Sequence, residues 1–211
     1  KLVNRAVPYS DPTGIEMKLE ITGSDPFLSL KLNYQNRDYI IKTNLFGKHN
    51  YENLKAAIAT GLFFEVPEAD IVRAVEEYIP GNNRSQVLET SRNTVICDSY
   101  NANPSSMLSA IGSFSELQAD HKMLILGDML ELGEKSEAEH DNILCEVKNV
   151  EAELVCLTGP VFSRLAGKYG FKSFADTTAL HLFLTKQNLN GFTILVKGSR
   201  GIGLEKIYDL L

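Results

Sequence analysis

Three short polar clusters hold most of the side chains in this 211-residue chain whose types and spacing could do chemistry. They are Asp98-Ser99-Tyr100-Asn101-Ala102-Asn103-Pro104, Gly127-Asp128-Met129-Leu130-Glu131-Leu132-Gly133 and Lys197-Gly198-Ser199-Arg200-Gly201. Each directly follows a short apolar run: Thr94 to Cys97, Met123 to Leu126, and Phe192 to Val196. The third cluster is chemically the richest. Lys197 and Arg200 flank a glycine-rich stretch where a helix is expected from about Ser199, and the free N–H groups of a helix start favour anions. Two cations, a hydroxyl and such N–H groups read as a carboxylate or phosphate site. Structural readings stand beside each cluster. Asn103 and Pro104 suit the N-cap and first position of a helix. Ser199 suits a cap, the glycines suit turns, and Asp128 suits a capped turn.

Other candidates lie outside these clusters. Phe46-Gly47-Lys48-His49-Asn50-Tyr51-Glu52-Asn53 precedes a helix. Asn50 would cap it, with Asn53 on its first turn, and a site for a base or ribose is the other reading. Gly47-Lys48 is not a phosphate loop, since His49 follows where Ser or Thr is needed and the upstream glycine is missing. Arg84 reads generically as a surface arginine. Cys97 adjoins Asp98 but falls in an apolar run, so it is expected in the core rather than as a nucleophile.

The elements that must position these groups divide the chain in two. Ile15, Met17, Leu19 and Ile21 alternate with polar residues, as do Leu28, Leu30, Leu32 and Tyr34. A polar turn at Gln35 to Asp38 leads into Tyr39 to Thr43, completing an antiparallel meander. Two helices are predicted over 51–64 and 67–78, each with one apolar face. The turn residues Pro80-Gly81-Asn82-Asn83 mark a boundary, giving domains 1–82 and 83–211. Beyond it, short strands that are apolar on both faces alternate with helices. That rhythm predicts an α/β domain: a Rossmann-like, mostly parallel sheet with helices on both faces. Ligands bind such sheets beyond the carboxyl ends of the strands. All three polar clusters would then share one edge.

Composition bounds the function. The chain is 44% hydrophobic and 23% charged with a net charge of -6. No Lys/Arg-rich stripe suggests nucleic acid, and no apolar run has the ~20 residues of a membrane helix. No signal-peptide pattern opens it. Three scattered cysteines fit reduced thiols and a cytoplasmic location. Metal-ligand spacings are missing from the sequence. No methionine opens the chain, so a segment cut from a longer polypeptide is expected.

The motifs also carry a resemblance. "FGKHNYENLKAA", "NNRSQV", "DSYNANPSSM", "LGDMLELG" and "LVKGSRGIGLEKI" resemble stretches of the Mur ligases, the ATP-dependent amino-acid-adding enzymes of peptidoglycan synthesis. The last three look like the subgroup that adds D-alanyl-D-alanine. The resemblance runs from about Asn44 to the end. It implies that the meander and two helices are the tail of a central ATPase domain, followed by the family's C-terminal domain. The implied reaction joins D-alanyl-D-alanine to UDP-N-acetylmuramoyl-tripeptide through an acyl phosphate, with ATP and Mg²⁺. By motif, Asn50 and Asn53 would lie near the adenine, Arg84 at the ATP phosphates and Asp98 at the ribose. Asn101, Asn103, Lys197, Ser199 and Arg200 would shape the dipeptide side. The chemistry of the third cluster, rather than the resemblance, predicts that Lys197 or Arg200 holds the dipeptide's carboxylate. No catalytic residue and no metal ligand is assigned within these residues. The family's GxxGK[ST] loop has no counterpart here, so the 211 residues are expected to be inactive alone. A sister Mur ligase, a folylpolyglutamate-type ligase and a non-catalytic Rossmann-like module are the alternatives.

Overall fold

The structure, a computed structural model, describes residues 16–211; the first residue of the expected Ile15 strand lies outside them. The chain forms two compact units that divide between Ile79 and Pro80, a few residues before the boundary expected after Asn82.

In the first unit, β1 (Met17–Ser24), β2 (Phe27–Tyr34) and β3 (Arg37–Phe46) form an antiparallel meander in that order. Gln35 and Asn36 both take positive φ, at 49° and 61°, the geometry that suits a two-residue hairpin turn. The period-2 alternation sends Leu28, Leu30 and Leu32 to one face, where they are wholly buried. Against them pack Leu54, Ile58 and Leu62 of α1 (Tyr51–Phe63), and Ile71 and Val75 of α2 (Glu68–Glu77). The two helices approach closely at Gly61, where an added Cβ would lie 2.9 Å from Ile71 Cδ1.

The second unit is built on a six-stranded sheet in the order β4-β5-β9-β6-β7-β8. Its strands are β4 (Gln86–Glu89), β5 (Thr94–Asp98), β6 (His121–Gly127), β7 (Leu154–Thr158), β8 (Lys172–Phe174) and β9 (Phe192–Lys197). All pairings are parallel except β4 with β5. The sequence reading missed β4, a four-residue edge strand with no fully buried residue to mark it. Four helices connect the strands: α3 (Pro104–Glu116), α4 (Ser136–Val147), α5 (Pro160–Tyr169) and α6 (Thr177–Leu184). Val95, Cys97, Met123, Ile125, Ile194 and Val196 face α6 and the C-terminal turns. Their neighbours Ile96, Leu124 and Leu195 point the opposite way and are equally buried, on the side of α3, α4 and α5.

One expected element differs. After β9 there is no α-helix but two 3₁₀ segments, Arg200–Ile202 and Leu204–Leu210, separated by Gly203 in the left-handed region at φ 74°. Leu204 and Ile207 are fully buried against the sheet. Gly203 breaks the helical run, and burial of these apolar side chains, rather than continuous helix, fixes the chain end.

Candidate functional site

Within the second unit, the three polar clusters meet. Strand β9 lies between β5 and β6, and the register aligns Asp98 with Lys197 and Lys197 with Leu126. The clusters at the ends of β5, β9 and β6 are thus neighbours on the carboxyl edge, as the sequence predicts for a parallel sheet.

What each residue does there is more specific. Lys197 is only 2% exposed, and its ammonium forms an ion pair with Asp98 Oδ2 at 2.5 Å. Asp98 Oδ1 accepts the backbone N–H of Ser85 at 3.0 Å. The aspartate therefore ties the segment after the unit boundary to the central strand. Of the two cations expected to flank a helix start, Lys197 is therefore paired inside the fold and Arg200 stands exposed. The helix N-terminus expected there is also absent. The Ser199 N–H is spent on Asp128 O at 3.2 Å, and a three-residue 3₁₀ turn has little macrodipole. Ser199 makes no cap hydrogen bond. Its buried hydroxyl accepts the Leu130 N–H at 2.9 Å, stitching the third cluster to the second.

Asp128 is 1% exposed and acts at a distance. Its carboxylate accepts the N–H groups of Val161 and Phe162 at 2.8 and 2.9 Å, capping α5 from another element. Gly159, with φ 122°, makes room, since a Cβ there would lie 2.5 Å from Asp128 Cγ. His140 Nε2 accepts the Met129 N–H at 2.9 Å, so the ring proton sits on Nδ1 toward Ser136 O. Gly127 and Gly198 let β6 and β9 end in close contact: a Cβ on Gly198 would lie 2.9 Å from Gly127 Cα. Asn103 caps α3 through Ser106 N in a capping box, with Pro104 at its start, as its structural reading predicts. Asn101 is exposed, and its Oδ1 accepts the Ala102 N–H at 2.9 Å.

The open part of this edge holds Arg84, Tyr100 and Arg200. The Arg84 guanidinium lies 3.7 Å from the centroid of the Tyr100 ring, and that of Arg200 lies 5.5 Å from it. Both arginines are exposed. Hydrogen bonding from Arg84 and the charges of both arginines hold the Tyr100 phenol below its ordinary pKa. A cavity of about 420 Å³ is lined by Asn82, Asn83, Ser99, Tyr100, Arg200 and Glu205. Sequence reasoning did not single out Tyr100 or Glu205. Tyr100 lay inside a motif without a role of its own, and Glu205 lay past the third cluster. Cys97 is fully buried as expected, and burial pushes its thiol up to about 12, away from nucleophilic use.

In the first unit, Asn50 does not cap α1. It ends a 3₁₀ turn, Lys48–Asn50, and its Nδ2 donates to Phe46 O at 2.8 Å. Asn53 is exposed and donates to Asn50 Oδ1 at 3.3 Å. Among the described residues, no three His, Cys, Asp or Glu side chains come together as metal ligands, and no helix is long and apolar enough to cross a membrane.

The family model described as "Mur ligase, glutamate ligase domain" matches residues 83–200, over half the chain, with the first two clusters and the third as far as Arg200. The chain belongs to the Mur ligase family. It is 35% identical over 179 residues to the UDP-N-acetylmuramoyl-tripeptide–D-alanyl-D-alanine ligase of Treponema pallidum, covering 81% of this chain and 39% of that protein. It is 33% identical to the enzyme of that name from Bacillus subtilis, covering 77% of this chain and 38% of that protein. Among solved structures, MurF from Acinetobacter baumannii matches with a TM-score of 0.79 at 26% identity, covering 92% of this chain and 44% of that one. The chain thus spans about two-fifths of the length of these Mur ligases.

Proposed function

We propose that this chain is the C-terminal part of an ATP-dependent ligase that joins D-alanyl-D-alanine to UDP-N-acetylmuramoyl-tripeptide, in the cytoplasm, for peptidoglycan synthesis. The observation that carries the reading is the convergence of the three family-like clusters on one sheet edge, in a chain whose relatives bear that enzyme's name.

In this reading the first unit is the tail of the ATP-binding domain, with Asn50 and Asn53 on the adenine side. Arg84 meets the ATP phosphates. Its guanidinium is exposed and presented on an aromatic face, which suits bidentate contact with phosphoryl oxygens. Asp98 serves the ribose through the lone pairs that Ser85 N and Lys197 leave over, since a carboxylate accepts about four hydrogen bonds. Asn101, with Asn103 at the start of α3, lines the dipeptide side. Lys197 and Ser199 act there by holding the loops, not by touching the dipeptide. Mg²⁺, when bound with ATP, would offset charge on the phosphoryl group in transfer. Holding the dipeptide amine toward the activated carboxyl is the contribution such an edge makes.

The test is the reaction of the complete polypeptide encoded with this chain. ATP, UDP-N-acetylmuramoyl-tripeptide and D-alanyl-D-alanine should give the pentapeptide product, ADP and phosphate, while the 211 residues alone should not turn over ATP. In the complete enzyme Arg84→Ala should raise the ATP KM roughly tenfold or more, as loss of a charge-assisted hydrogen bond of about 1.5–3 kcal/mol implies. Joining of glutamate to a folate instead, or an unchanged ATP KM in folded Arg84→Ala, would overturn the reading.

A further inference from the structure

Arg84 and Arg200 come from opposite ends of the second unit, yet both rest on one side chain. The two guanidiniums are 3.7 and 5.5 Å from the same Tyr100 centroid, so they can be no farther apart than the sum of those distances. Neither makes an ion pair among the described residues, although both are exposed. Two like charges held this close without a counterion repel one another, and an anion between them relieves that repulsion.

Tyr100 is itself fixed. Its N–H donates to Asn83 O at 3.1 Å, and it follows Asp98, which is anchored to both Lys197 and Ser85 N. On the Arg84 side, Asn82, Asn83 and Ser85 hold left-handed backbone at φ 57°, 57° and 48°, which sets where Arg84 leaves the chain. On the Arg200 side, the residue before it is bound through both its N–H and its hydroxyl. The backbone that carries the ring is thus pinned, as are the backbones beside both arginines.

We propose that Tyr100 is a positioning residue that holds Arg84 and Arg200 as a paired clamp for one polyanionic phosphoryl group. This places Arg200 with the phosphates rather than with a dipeptide carboxylate. It deepens the ligase reading by naming the ligand of Arg200, but the clamp itself does not need ligase activity. A carboxylate carries one charge and would leave the pair under-neutralised. A diphosphate carries more charge and enough oxygens for two guanidinium forks. The ring face supports both guanidiniums by cation–π contact, and a guanidinium so ordered loses less freedom on binding.

The experiment titrates the whole 211-residue chain with pyrophosphate and, at matched ionic strength, with acetate and D-alanyl-D-alanine, by calorimetry. Pyrophosphate should bind at least about tenfold more tightly than either carboxylate. Arg84→Ala and Arg200→Ala should each weaken pyrophosphate about tenfold, and Arg200→Lys nearly as much, because an ammonium lacks the planar fork. Tyr100→Phe should keep most of the affinity and Tyr100→Leu should lose about tenfold, with melting temperature followed for each. A purely structural Tyr100 would weaken binding equally in every background. A positioning Tyr100 loses its effect once both arginines are alanine. Equal affinity for pyrophosphate and acetate, or full affinity in Arg200→Lys, would overturn the clamp even if Tyr100→Leu fails to fold. Undiminished affinity in folded Tyr100→Leu, or losses that simply add in the Tyr100/Arg84/Arg200 variants, would overturn the role of Tyr100.

Discussion

Replacing Lys197 by methionine separates a buried structural pair from a surface anchor. Methionine keeps much of the lysine stem's volume and removes the charge. In the wild type, the lysine is 2% and the Asp98 side chain 12% exposed, so both charges have largely lost their water. Removing one partner of such a pair leaves the other buried and uncompensated, at a cost of about 3–5 kcal/mol. Asp98 keeps the Ser85 N–H on Oδ1 and a little solvent access, which argues for the low end, about 3 kcal/mol. Asp98→Asn in the Lys197→Met background removes the stranded charge and should recover on the order of half the loss, about 1.5 kcal/mol. Because the chain has two units, the readout should be local: amide exchange of Ile96, Leu195 and Val196, which report opening of the second unit. A cost below about 1 kcal/mol for Lys197→Met, or costs that merely add in the double variant, would refute the buried-pair reasoning.

Two further outcomes follow from the same geometry. Asp128→Ala removes two charge-assisted bonds to Val161 and Phe162 and leaves the start of α5 uncapped, which should cost about 2–4 kcal/mol and show first as lost amide protection in α5; unchanged protection there would contradict the capping role. Hydrogen bonding and charge from Glu153 hold the His121 imidazole above its ordinary value of 6.5, so the stabilisation from this exposed pair is fully present below that value and is lost as pH rises through the higher folded pKa; thermal melts of wild type and His121→Gln should differ most below pH 6.5 and converge as the pH is raised well above it, and a pH-independent difference would refute it.

Periodicity by itself determined the architecture. Alternation at Leu28, Leu30 and Leu32 fixes which face of the meander is buried, because side chains in a strand point to opposite sides in turn. Runs buried on both faces, such as Met123 to Leu126, require a covered parallel sheet. The helix start at Asn103-Pro104 was equally legible, because a cap is chemistry between near neighbours in the chain. Strand β4 was not, since four half-buried residues carry little pattern. Local sequence also misjudged the third cluster. It showed two cations near a glycine-rich turn, but only the sheet order β5-β9-β6 decided their fates. Strand pairing turned Lys197 inward onto Asp98, 99 residues away in the chain, and left Arg200 outside on Tyr100. Whether a charge is a ligand or a strut depends on what lies across the neighbouring strand, and that neighbour is chosen by topology, not by sequence proximity.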